Sequence, residues 1–253
     1  MLASIDYYFF SPTGGTKKAG ELFCKGIAER VNYIDLTTPK DIISQPQSDV
    51  VIFAAPVYAG RIPAIAAERF SKINGHGKKA VTFVVYGVRA YDDALLELND
   101  LVNSLGFEIV ASGALIAQHS VVKEIGAGRP DTNDEFAIHS FGREVLRKLN
   151  SHVQKAVEVP GNRPYRTGMN LPVSPISLPN CSGCGFCTFV CPTKAIQKTT
   201  NGLNTNTDSC ILCMACVARC PRKARALPTE LQESMNQKLL SFKDSYVENQ
   251  FFL

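Results

Sequence analysis

"FFSPTGGTKK", residues 9–18, is the stretch on which the fold turns. It follows a run of β-formers, "ASIDYYFF" (residues 3–10), and leads into residues with helical spacing. A strand therefore passes to a helix through a turn holding two glycines, a proline and three hydroxyls. Such a turn lets backbone N–H groups converge, and a helix beginning near Gly14 to Thr16 points the positive end of its dipole into it. Ser11, Thr13 and Thr16 add hydroxyl donors, and Gly15 keeps the backbone accessible. The turn reads as a phosphate cradle, although a helix cap followed by a turn uses the same residue types. It has neither the GxxxxGK[ST] nor the GxGxxG spacing.

Outward from this turn the chain repeats a strand-then-helix rhythm. Apolar, β-branched or aromatic runs fall at residues 5–10, 31–36, 50–57, 80–86 and 109–117. Several are continuously apolar, as in strands buried on both faces of a parallel sheet. Helical spacing joins Ala19, Leu22, Phe23, Gly26 and Ile27, then Ile62, Ile65, Ala66, Arg69, Phe70 and Ile73, then Leu95, Leu98, Leu101, Val102 and Leu105. A further helix is predicted after "DTNDE" (residues 131–135), where Thr132 and Glu135 fit a capping box, to run through Ile138, Phe141 and Leu149. Five strands alternating with helices predict an α/β, doubly wound parallel sheet. Ligands of such sheets sit outside the carboxyl ends of the strands, beside the first strand-to-helix turn.

Cysteine usage divides the chain. Of nine cysteines only Cys24 precedes residue 181, and it lies beside the apolar stripe of the first predicted helix as a small buried side chain. The other eight form "CSGCGFCTFVCP" (Cys181, Cys184, Cys187, Cys191, Pro192) and "CILCMACVARCP" (Cys210, Cys213, Cys216, Cys220, Pro221), an internal repeat offset by 29 positions. Both match the C-x2-C-x2-C-x3-C-P run of bacterial two-cluster ferredoxins, in which the fourth cysteine serves the other cluster. That pattern implies Cys181, Cys184, Cys187 and Cys220 on one [4Fe–4S] cluster and Cys210, Cys213, Cys216 and Cys191 on the second. Between the two compositions runs "VPGNRPYRTGMNLPVSPISLPN" (residues 159–180), whose five prolines predict an extended linker. The division expected is 1–158, a Pro-rich linker 159–179, a small α+β unit 180–228, and a helical tail 229–253 with Leu231, Met235, Leu239 and Leu240 packing back on the body.

"SPTGGT" resembles the phosphate loop of flavodoxins, which hold the phosphate of FMN without a cationic side chain. That resemblance implies a flavodoxin-like sheet and FMN gripped by the loops "AAPVYAGRIP" (residues 54–63) and "YGVRAYDDAL" (residues 86–95). Pro56, Val57 and Tyr58 from the first loop, with Gly87, Arg89 and Tyr91 from the second, are the implied flavin contacts, added to Ser11, Thr13, Gly14, Gly15 and Thr16. Val88 departs from the pattern, which has a polar residue there. With both cysteine runs and "AGRP" (residues 127–130), the whole chain resembles ferredoxins that carry an N-terminal flavodoxin-like domain, found mainly in anaerobic bacteria and archaea.

The formal charge of +4 is too small to indicate a nucleic-acid partner by itself. Two clusters and FMN would bring it to about −2, so the basic residues largely compensate cofactor charge. Residues 181–227 hold six basic side chains against Asp208 alone, which favours an acidic redox partner. No apolar run approaches a membrane span and no leader sequence is evident, so a cytoplasmic protein is expected. Two functions stay open: an electron-transfer iron–sulfur flavoprotein between a soluble carrier and a partner redox enzyme, or a flavin-dependent reductase of a small organic substrate with His119 as proton donor. No catalytic residue is assigned beyond that candidate.

Overall fold

The computed structural model describes residues 1–151, 155–168, 171–200 and 202–253. Residues 152–154, at the end of the expected first unit, and Met169 and Asn170, in the expected linker, lie outside the described residues.

The N-terminal part runs β1 (Leu2–Phe9), α1 (Gly15–Ile27), β2 (Ala28–Asp35), β3 (Val50–Pro56), α2 (Ala64–Phe70), β4 (Lys79–Tyr86), α3 (Ala94–Ser104), β5 (Glu108–Ile116) and α4 (Thr132–Leu149). The five strands pair in parallel in the order β2-β1-β3-β4-β5, the flavodoxin-like doubly wound order. The continuously apolar β3, "VVIFAAP", is buried along all but its last residue because helices cover both faces. Phe23 and Ile27 of α1 and Phe141 of α4 meet Phe83 on one face. Phe70 of α2 and Leu98 of α3 meet Phe53 on the other. Cys24 is fully buried in the first of these layers. The strand order reverses between β1 and β3, which opens a crevice at the carboxyl ends beside the turn of residues 11–16.

Two expectations are corrected. The cap of α4 is Asp131, not Thr132: its carboxylate accepts from the Asn133 and Asp134 N–H groups at 2.9 and 3.0 Å, and Asp134 accepts from the Asp131 N–H at 2.8 Å. A carboxylate satisfies the open N–H groups and also meets the positive end of the helix dipole, which a threonine does not.

The second correction concerns the tail. After residue 175 come β6 (Ile176–Ser177), α5 (Phe186–Val190), β7 (Ile196–Thr199), β8 (Gly202–Thr205), α6 (Ala215–Ala218), β9 (Arg225–Ala226), α7 (Thr229–Leu239), a 3-10 turn (Leu240–Phe242) and β10 (Gln250–Phe252). The last residues are thus strand, and β10 joins β5 antiparallel as a sixth strand of the large sheet. Phe251 stacks on Phe141 with ring centroids 4.4 Å apart, so the edge of β5 is paired and an apolar face is covered at once. Arg129 of "AGRP" fixes this return: it forms a bidentate ion pair with Asp134, donates to the Val247 carbonyl at 3.1 Å, and lies under the Tyr246 ring.

The Pro-rich segment carries no helix or strand among its described residues before β6 and is fastened to α3 and the loop before it. The Asn162 and Arg166 N–H groups donate to Asp93 at 2.8 and 2.7 Å, and Arg163 donates twice to Asp100. A second tie is Arg69 of α2, buried, which donates to the Leu36 and Thr37 carbonyls at 2.7 Å each and to the Pro192 carbonyl at 2.6 Å. Pro192 follows Cys191 directly, so this guanidinium pins the cysteine-bearing part to the sheet.

Candidate cofactor sites

A cavity of about 1970 Å³, counted with its open mouth, lies at the carboxyl ends of the strands. Thr13, Gly15, Thr16, Pro56, Val57, Tyr58, Gly87 and Arg89 line it, so all three implied flavin loops converge there. Gly14, left-handed at φ 95°, is the N-cap residue of α1 and turns the chain so that the helix start faces the cavity. Ser11 is set differently. Its Oγ accepts from the Lys17 N–H at 2.9 Å and its own N–H donates to Thr37 Oγ1 at 2.8 Å, which spends it on bracing the turn.

Tyr91 is also placed away from the cavity. It is buried, meets Tyr86 edge to face at 5.3 Å, and donates its hydroxyl to Gln250 Oε1 at 2.6 Å. Its role is to hold β10, and the sequence could not show this because Gln250 lies 159 residues away. Tyr86 takes the lining position instead. Val88, the departure from the pattern, has its side chain buried against the core at φ 66°, a strained setting for a β-branched residue. Arg89 donates to Asp92 at 2.6 Å, a carboxylate it shares with Arg166.

Tyr58 sits at the start of a tight hairpin, its N–H and C=O paired with Arg61 at 2.8 and 3.2 Å across Ala59 (φ 51°) and Gly60 (φ 82°). It reaches out of the sheet and packs against Val190, Cys213 and Ala215. Burial pushes its phenol well above the usual range, and neighbouring Cys213 adds to the shift. His119 lines the same cavity, with Nδ1 accepting from the Val122 N–H at 2.9 Å. The ring's hydrogen is therefore on Nε2, and burial holds its pKa below the ordinary value, so the imidazole is neutral.

The remaining wall comes from the second half of the chain: Cys210, Ile211 and Leu212, and Leu231, Met235 and Leu239 of α7. The i, i+4 stripe of the tail was legible in the sequence; that it roofs this cavity was not. Cys210, Ile211 and Leu212 also line a second, smaller cavity of about 340 Å³, counted likewise with its open mouth. Its other thiols are Cys213, Cys216 and Cys191, three cysteines of one run and the fourth of the other. Cys191 is in electrostatic contact with Cys210, Cys213 and Cys216, whereas Cys187 is in contact with Cys181 and Cys184. Cys220 accepts from the Ala224 N–H at 3.2 Å, and the Ala224 carbonyl accepts from the Leu178 N–H at 3.0 Å, which brings the last cysteine to the chain that leads into Cys181.

The 29-residue repeat extends to the backbone. Gly183 and Leu212 are left-handed at φ 65° and 50°, Gly185 and Met214 at 79° and 61°, Lys194 and Lys223 at 55° and 50°. These turns aim N–H groups at sulfur: Phe186 at Cys184, and 29 positions on, Ala215 at Cys213. Donors of this kind stabilise thiolates, the form that ligates metal. No group of His, Cys, Asp or Glu among the described residues is gathered tightly enough for a single metal ion. A cubane keeps its four thiolates at separate corners, a wider setting, and the donor set, the apolar walls and the sulfur-directed N–H groups fit such a cluster. The helix start, the hydroxyls of Thr13 and Thr16 and the aromatic and apolar walls fit FMN in the larger cavity.

Residues 180–233 match the family model of a 4Fe-4S dicluster domain. A flavodoxin-like sheet and a 4Fe–4S domain are thus joined in one chain. Among solved structures, the chain is similar to oxidised flavodoxin 1 of Bacillus cereus, with 20% identity over 60% of this chain and 100% of that one and a TM-score of 0.42. It is similar also to a flavodoxin of Streptococcus pneumonia TIGR4 (19% identity, 58% of this chain and 99% of that one, TM-score 0.42). A flavodoxin from the domain Archaea shows 14% identity over 58% of this chain and 99% of its own, with a TM-score of 0.42. No curated protein matches the chain in sequence.

Proposed function

We propose that the chain is an electron-transfer iron–sulfur flavoprotein that holds FMN in the larger cavity and two [4Fe–4S] clusters on its eight paired cysteines. Bound there, FMN exchanges one or two electrons and each cluster one, so the chain links a two-electron carrier to single-electron partners. The division is 1–158 for flavin, 159–179 as the strap, and 180–228 for the clusters. Cys191 serves the set of the second run and Cys220 that of the first. One observation carries the reading: Cys210 lines the flavin cavity and the thiol-lined cavity alike, so the two cofactor sites share a wall.

The two sets of thiols differ in what they face. The set of Cys210, Cys213, Cys216 and Cys191 faces the sheet, where Tyr58 and Ile211 exclude water. Cys184 of the other set is exposed, and Phe186 and Phe189 stand out beside it at 44% and 78% exposure, so an external redox protein meets that end. No helix among the described residues is long and apolar enough to cross a membrane. The neutral His119 in the cavity wall supports a second reading, direct reduction of a small substrate at the flavin.

Anaerobic reconstitution tests the first reading. About eight irons and one FMN per chain are expected. Zinc with no iron–sulfur absorbance would end it. Thr16→Val is expected to weaken FMN binding with iron content unchanged; loss of both cofactors together would contradict the division. Turnover of a small organic substrate by the flavin, with no partner protein, would favour the second reading.

A further inference from the structure

Six basic residues lie between 181 and 227, and five of them, Lys194, Lys198, Arg219, Arg222 and Lys223, are exposed. Arg225 is 4% exposed. Its Nη1 donates to Ser177 Oγ at 3.0 Å, and its Nη2 donates to the Pro175 carbonyl at 2.6 Å and to Thr205 Oγ1 at 2.9 Å. Nε is buried without an acceptor. Among the described residues no carboxylate pairs with it. Besides these neutral oxygens its one further hydrogen-bond partner is the Cys216 sulfur. A guanidinium taken out of water in such a setting is costly, and a charged site with an orphan donor is stable only when an anion lies against it.

The surroundings identify that anion. Pro175 and Thr205, both holding Arg225, are in the wall of the cavity lined by Cys191, Cys210, Cys213 and Cys216. The guanidinium is in electrostatic contact with Cys210 and Cys216 of the second run and with Cys187 of the first. It is thus shared by both sets of thiols, and β9, which carries it, pairs with β6 just ahead of Cys181.

We propose that Arg225 is the built-in counter-cation of both cluster sites, one buried charge that holds up the two reduction potentials together. This rests on the two-cluster reading above. Added negative charge on either cluster is stabilised by a nearby cation and by a donor to sulfur, and burial keeps solvent from screening the effect. The five exposed cations act through water and contribute far less.

The test uses the reconstituted full chain. Iron content and two resolvable cluster signals in the unaltered protein come first, since their absence overturns the two-cluster reading and says nothing specific of Arg225. Cluster potentials are then measured by spectroscopic titration in Arg225→Gln, Arg225→Lys and Thr205→Val. Arg225→Gln is expected to make both clusters harder to reduce by about tenfold, 59 mV for one electron, while Arg225→Lys and Thr205→Val stay within about twofold of the parent. Full iron with unchanged potentials in Arg225→Gln, or a change confined to one cluster, overturns the proposal. So does a lysine variant as low as the glutamine variant, which would assign the effect to hydrogen bonding. If Arg225→Gln fails to assemble clusters, assembly in Arg225→Lys supports the proposal. Failure of both leaves Arg225 a structural brace and overturns it.

Discussion

The two cysteine runs share a backbone and differ in surroundings. Positions 183 and 185 of the first are glycines in left-handed geometry, while the same geometry at 212 and 214 is held by Leu and Met. A non-glycine residue there costs about 1–2 kcal/mol, and the second run bears it because Leu212 lines both cavities and Met214 is buried. At Gly183 no atom lies within 4 Å of where a side chain would start, and at Gly185 only the end of Lys198 comes near, so a side chain at either position would have little to pack on. Thiol chemistry follows: Cys184 is lowered by the Phe186 N–H, whereas burial pushes Cys213 up to about 12. A duplicated unit has thus become an inner site, joined to the sheet, and an outer site, open to a partner.

The largest effects should separate inner from outer. Cys213→Ala and Cys184→Ala are each expected to lose about four irons of about eight. Only Cys213→Ala should also weaken FMN, by about tenfold or ~1.4 kcal/mol, since Tyr58 of the flavin cavity packs on Cys213. Flavin affinity of apo protein titrated with FMN checks it; equal loss in both variants would erase the distinction. Next in size is Arg69→Met, which leaves the Leu36, Thr37 and Pro192 carbonyls without their donor. A fall of about 2–3 kcal/mol in unfolding free energy is expected, with iron of the inner site released first because Pro192 follows Cys191. Uniform release from both sites would argue against Arg69 as the tie.

A smaller pair tests the backbone comparison itself. No atom lies within 4 Å of a side-chain carbon built at Gly183, so Gly183→Ala meets only the backbone cost, about 1 kcal/mol. Leu212→Gly should recover a similar amount less what its packing contributes. The temperature at which cluster absorbance is lost should thus fall for the first and change little for the second. A large loss for Leu212→Gly would show that cavity packing, not strain, dominates at that position.

What the sequence revealed follows the range of each interaction. The five parallel strands were legible because long apolar runs and helical stripes each repeat within a few residues. The cysteine repeat offset by 29 positions was legible as well; that the left-handed turns at Gly183 and Gly185 recur at Leu212 and Met214 is seen only in the backbone. By contrast β10 is three residues, too short to show alternation, and its partners Phe141 and Tyr91 are far away in sequence. Tyr91 looked like a flavin contact from its loop position, and only the returning tail shows where its hydroxyl goes. Arg69 fell on the apolar stripe of its predicted helix, but the carbonyls it serves were hidden for the same reason, as was the burial of Arg225. Each resembles any other arginine until its acceptors, from distant segments, are brought around it.

The smallest effect concerns pH and isolates one side chain of the inner wall. His119 is neutral in the fold because burial disfavours the imidazolium, and its Nδ1 accepts from the Val122 N–H, so its folded pKa lies below the ordinary 6.5. The unfolded chain therefore binds the proton more readily. The stability this contributes is fully present above about pH 6.5 and is lost as pH falls from there through the folded value, with a slope no steeper than about 1.4 kcal/mol per pH unit for one proton. His119→Asn places an amide oxygen where Nδ1 sits and cannot titrate. Denaturant unfolding of both proteins between pH 5 and 7.5 should show the parent losing stability relative to the variant as the solution is acidified. Parallel curves would mean that the imidazole takes up a proton as readily in the fold as in the unfolded chain.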